Sequence, residues 1–151
     1  MIRPSLLALV PALVLSACST VGLGPSGAGQ YAGTTVKSSN QSLIRNTTVA
    51  VFAENGFRLD GSPDYGTIRF VKPGTRSAQI AWGDNLNDNP VMVRPEVQVI
   101  QQGTQTQLIC DVYMTQQSTV YGENSKRPHL TGKAGYNSIL STIRKRVESA
   151  E

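Results

Sequence analysis

Residues 105–117 read Gln-Thr-Gln-Leu-Ile-Cys-Asp-Val-Tyr-Met-Thr-Gln-Gln. Leu108, Cys110, Val112 and Met114 recur at every second position, with Gln107, Asp111 and Thr115 in the other set. A period of two describes a strand that buries one face and wets the other, whereas a helix stripe needs spacings of three and four. Cys110 on the apolar face reads as a buried small hydrophobe. A reactive thiolate needs a neighbouring base or cation, and the sequence assigns none.

Upstream of this strand, Gly103 turns the chain back into a second extended run, residues 91–102. Pro95 within it cannot donate to a ladder, so it predicts a bulge, an edge or a break. A polar loop at 83–90 precedes it, and residues 77–82, ending on Trp82, read as a further extended segment. Pro73-Gly74 is a turn; before it, residues 65–72 place Ile68 and Phe70 on one face and Thr67, Arg69 and Val71 on the other. A turn at 61–64 leads back to a short strand at 57–60. Strands joined by such short turns predict an antiparallel meander.

Helical spacing brackets the strands. Leu43, Ile44, Thr47, Val51 and Phe52 mark a helix that Ser39 or Asn40 can cap and Asn55-Gly56 can stop. A first strand at 31–37 precedes it. After a polar stretch at 118–128, Tyr136, Leu140, Ile143 and Val147 step by four, three and four, with Ile139 beside them. Arg144, Lys145 and Arg146 fill the opposite side, and Thr131 is the expected N-cap. The predicted fold is α+β: a two-layer sandwich with an antiparallel meander sheet of about four to six strands and one or two helices packed on one face.

The first 18 residues carry a separate message. Arg3 precedes the mostly apolar residues 6–15, which are long enough for a signal-peptide core and too short to span a bilayer. Leu15-Ser16-Ala17-Cys18 follows, an aliphatic residue and two small residues before a cysteine. This resembles the lipobox of bacterial lipoproteins. The resemblance implies alkylation of the Cys18 sulfur by a diacylglycerol and cleavage ahead of it. Two or more acyl chains hold a protein on a membrane where one does not. Ser19, in place of the aspartate that tends to retain lipoproteins in the inner membrane, implies the periplasmic face of an outer membrane. The element order is similar to that of small helix-on-sheet modules in outer-membrane accessory lipoproteins.

The expected organisation is a signal peptide at 1–17, a tether at 18–33 and one domain at 34–151. The tether is rich in glycine and serine; about 15 such residues reach roughly 20 Å. Removing residues 1–17 takes away one of 14 basic residues and none of the 10 acidic ones. The remaining charge of +3 is concentrated in residues 126–146. With Cys18 lipidated, Cys110 has no internal disulfide partner, so core packing must hold the domain.

No catalytic signature emerges. His129 is the single histidine and has no metal-spaced companion, so no metal or other cofactor is expected. Asn85, Asn87, Asn89 and Glu96 mimic calcium-loop offsets, but Pro90 stands where the sharp turn needs glycine. Lys126, Arg127 and Lys133 lack interleaved stacking aromatics, which argues against nucleic acid. The expected function is a lipid-anchored, non-enzymatic binding or assembly-accessory module, held to the membrane through Cys18 and meeting an envelope protein partner. Surface-contact candidates are Trp82, His129, Arg144, Lys145 and Arg146. The alternative is a small-ligand binder or hydrolase with a cleft near Trp82 and His129.

Overall fold

The computed structural model describes residues 30–62, 66–82, 90–118, 122–128 and 132–151. Expectations for the signal peptide, Cys18 and most of the tether, Tyr65, the asparagine loop, His129 and Thr131 lie outside these residues.

The chain runs β1 (Ala32–Val36), α1 (Gln41–Glu54), β2 (Arg58–Leu59), β3 (Thr67–Pro73), α2 (Arg76–Trp82), β4 (Met92–Gln102), β5 (Gln105–Ser118), β6 (Gly122–Lys126) and α3 (Lys133–Glu148). The sheet order is β1-β5-β4-β3-β2, all pairs antiparallel, with β6 also on β5. This is the predicted α+β architecture. The 14 residues of β5 allow β1 to pair through Ala32↔Cys110 and β6 to begin at Met114↔Lys126. β1 and β6 therefore share one side of β5, end to end.

Alternation carries the packing as read. Leu108, Cys110 and Val112 on β5, Val97 and Val99 on β4, and Ile68 and Phe70 on β3 are buried on one sheet face. α1 and α3 cover that face with Ile44, Val51, Phe52, Leu140, Ile143 and Val147. Phe52 stacks on Phe70 with ring centroids 4.2 Å apart and planes 8° from parallel. This contact joins the helix layer to the sheet.

Local chemistry explains the helix ends. Asn40 Oδ1 accepts from the Leu43 amide at 3.1 Å, the N-cap expected from sequence. At the other end Gly56 takes φ +80°, where a side chain would be strained. The Gly56 amide donates to the Ala53 carbonyl at 2.9 Å and the Phe57 amide to that of Phe52 at 3.1 Å. That is a Schellman motif, completed by the edge-on contact of Phe57 with Phe52 at 5.4 Å. Four residues of sequence thus aim Phe57 into the space beside the sheet.

Several expectations need correction. Residues 77–82 are helical, not extended. Thr75 Oγ1 accepts from the Ala78 amide at 3.3 Å, a cap that starts α2, and Ala78 and Trp82 share an inner face at a spacing of four. Residues 122–126, read as polar loop, form β6: with no apolar alternation of their own, they are recruited by the free edge of β5. Pro95 causes no break in β4. The register with β5 runs straight through Pro95↔Val112, while the β3 ladder loses its pairings between Arg69↔Glu96 and Lys72↔Val93. The ring's missing N–H is thus accommodated on the β3 side. On α1, Thr48 rather than Thr47 is buried, its hydroxyl donating to the Ile44 carbonyl at 2.7 Å. The cap position of α3 falls on Gly132. The folded region also reaches back to Ala32, which pairs with Cys110 and is 2% exposed, so residues 32–33 belong to the domain.

Burial first, and the Asp111 charge second, push the Cys110 thiol from its ordinary 9.0 up to about 12. The sign follows from linkage: a raised folded pKa gives stability that is complete below the unfolded value and is lost as pH rises toward the folded one. We expect Cys110 to resist thiol reagents in the native protein and react on unfolding, and thermal stability to fall progressively above about pH 9. Rapid labelling of native protein would contradict this packing. Phe70→Ala, which deletes the inter-layer stack, should cost about 3–5 kcal/mol in urea melts.

Candidate functional site

The helix layer does not cover the whole inner face. Beyond the start of α3, one cross-strand row reads Lys72, Val93, Met114 and Lys126, set by the pairs Lys72↔Val93, Val93↔Met114 and Met114↔Lys126. Directly opposed residues share a face, so both lysines lie on the side that elsewhere carries Phe70 and Val112. Alternation along β3 (Ile68, Phe70, Lys72) requires the same.

Over this row opens a pocket of about 410 Å³, a size typical of small-ligand sites. Tyr31 and Tyr136 wall one side, Thr75, Ser77 and Ala78 another, and Lys126, Arg127 and Pro128 close the β6 end. Tyr31 and Tyr136 meet edge-on at 5.6 Å, and Phe57 lies 6.1 Å from Tyr136. Burial, followed by the nearby Cys110 and Tyr31, drives the Tyr136 phenol well above its ordinary 10.0, so it stays protonated.

The two lysines are stationed on aromatic rings. Lys72 Nζ sits 4.0 Å from the Phe57 centroid and Lys126 Nζ 4.7 Å from that of Trp82. Lys126 also donates to the Trp82 carbonyl at 3.3 Å. Such contacts hold a cation by roughly 0.5–2 kcal/mol but leave its charge uncompensated. Burial lowers the Lys72 pKa below the usual lysine range. Among the described residues neither lysine has a carboxylate partner.

The outer sheet face is different. Arg69 pairs with Glu96 at 3.2 Å, and Arg94 with Asp60 and, at 3.0 Å, with the Thr115 hydroxyl. Arg127 donates to the Tyr113 hydroxyl at 2.9 Å and lies 3.6 Å from Asp111. These three arginines are matched locally, and part-exposed pairs of this kind contribute about 0–1 kcal/mol each. Among the described residues, Lys72 is a half-buried cation in the pocket with no carboxylate beside it, and Lys126 is an exposed one at its edge.

The sequence candidates are scattered. Trp82 is no surface contact: it is 8% exposed and packs with Val91 and Met114, because α2 turns it inward. Its carbonyl nevertheless anchors Lys126 at the pocket's edge. Arg146 grips Glu54 through two hydrogen bonds of 2.7 and 2.8 Å, tying α3 to α1; Lys145 is exposed and Arg144 half-buried. These three lie on the last turns of α3, away from the pocket lining. Lys72 was missed although its place in the 68–70–72 alternation marked it. Lys126 had no comparable signal, since β6 itself was read as loop. Among the described residues no group of three or more metal-ligating side chains is clustered, and no helix is long and apolar enough to cross a membrane.

No protein-family model matches the chain, and no curated protein is similar to it. The measurable contrast lies between the two former surface candidates. Trp82→Ala should cost about 3–5 kcal/mol of folding stability. Arg146→Ala should leave the melting temperature nearly unchanged in physiological salt, because its ion pair is solvent-screened. Equal, small effects at both positions would contradict the burial of the indole.

Proposed function

We propose that this protein is a bacterial lipoprotein, anchored through Cys18 to the periplasmic face of the outer membrane, whose domain is a non-enzymatic binding module with the Lys72–Lys126 pocket as its binding site. The anchor half rests on the lipobox. The binding half rests on the pocket: an apolar floor between two ammonium groups that have no carboxylate partner among the described residues. Its described lining offers cations, hydroxyls and aromatic rings, which is the chemistry of recognition. The assembly-accessory role belongs to the same reading, with an envelope protein as the source or recipient of what is bound.

A second reading has one observation in its favour. Pro128 lines the pocket, and His129 follows it in sequence, so a hydrolase using His129 as its base is the competing assignment. Loss of a hydrolytic activity on His129→Ala would favour it, whereas unchanged ligand binding by that variant supports the module.

The anchor is tested by expressing Cys18→Ser in a bacterial host with labelled fatty acid. The natural protein should carry the label and sediment with outer membranes. The variant should lose the label and leave the membrane fraction. Labelling of the variant, or a natural form that stays soluble, would overturn the anchor.

A further inference from the structure

We propose that the pocket takes a small organic acid with an apolar body, a carboxylate or alkyl phosphate whose head is neutralised by Lys72 and whose body lies along the row toward Lys126; this deepens, and rests on, the binding-module reading. The row Lys72, Val93, Met114, Lys126 spans three inter-strand steps, roughly 14 Å between its end Cα atoms at the usual strand spacing. Its ends are cationic and its middle is aliphatic. Ala78 and Pro128 extend the apolar lining, and Thr75 and Ser77 add hydroxyls.

The charge of Lys72 favours an acidic head. A ring face orients an ammonium without neutralising it, and Lys72 sits where burial already disfavours its charged form. An anion beside it reverses that penalty, since opposite charges within a few ångströms favour ionisation. The floor requires the apolar body. An inorganic anion would leave the half-buried Val93 facing water, whereas a hydrocarbon body covers it, and the flexible thioether of the buried Met114 beside it adapts to its shape. The matched charges of the outer face offer no such site.

Trp82 is the single tryptophan and lies under Lys126, so its fluorescence reports on the pocket directly. The full lipidated chain in phosphatidylcholine vesicles is titrated with octanoate, octyl phosphate, octanamide and inorganic phosphate. Tryptophan emission and calorimetry are followed, with protein-free vesicles subtracted. At least one of the two acidic amphiphiles should bind saturably and about tenfold more tightly than octanamide, the difference expected for a charged hydrogen bond. The tighter headgroup names the source. Lys72→Met, which keeps the aliphatic stem, should weaken binding about tenfold and Lys126→Met less, while Lys72→Arg preserves it. Circular dichroism verifies their folds, and the comparison of octanoate with octanamide on the natural protein decides without them.

Octanamide binding as tightly as both acids, or undiminished binding by the folded double Met variant, would overturn the acidic head and leave the pocket as a binding site. Inorganic phosphate matching the amphiphiles would overturn the apolar body. No saturable binding of any probe would remove the pocket assignment itself, independently of the Cys18 anchor.

Discussion

The inner row of β5 is the constraint around which this domain is arranged. Leu108, Cys110, Val112 and Met114 must all leave water, and a strand can bury them only if something covers one face along its whole length. β4 meets β5 from Met92↔Thr115 to Gln102↔Gln105, fixing which residues of β4 and β3 point the same way. β1 and β6 divide the opposite side of β5 between them. A slip of one residue along β5 would turn every one of these side chains outward. Cys110, the free cysteine at the centre, is fully buried, so packing does the stabilising there.

The pocket is a consequence of the same geometry. α1 and α3 are long enough to cover Leu108 to Val112, and their aromatic contacts end with Phe57 and Tyr136. The next inner row lies past that cover. Here α2 covers Met114 through Trp82, but lysines stand at both ends. The Schellman motif of α1 supplies the ring beneath Lys72, and the inward turn of α2 supplies the ring beneath Lys126. Two local capping events thus set the electrostatics of one site.

Charge is handled in two ways on the two sheet faces. Outside, Arg69, Arg94 and Arg127 each sit beside a carboxylate, at little net gain. Inside, the cations rest on aromatic rings, an arrangement that keeps them in place while leaving their charge available. This difference, more than the overall basicity of the C-terminal residues, distinguishes the two faces. Arg146 illustrates the point: it was a contact candidate as one of a run of three cations, yet it spends its donors on Glu54.

Patterns that repeat locally were readable in the residues themselves. Alternation identified β3, β5 and the burial of Cys110, and the flanking loop and Gly103 turn marked β4. Spacing and capping chemistry identified α1 and α3, including Asn40 and the stop at Gly56. The α+β class followed, because these elements each have one apolar face to hide. Pairing decided the rest. Residues 122–126 carry too little apolar pattern to declare a strand, and the unpaired edge of β5 made them one. Residues 77–82 are too short for period two and period four to be told apart, and the Thr75 cap with the Ala78–Trp82 contact chose the helix. Lys72 and Lys126 are 54 positions apart in sequence, and only the register through Val93 and Met114 brings them to one floor. Cross-strand neighbours are set by long-range pairing and burial, and no window of local sequence contains that information.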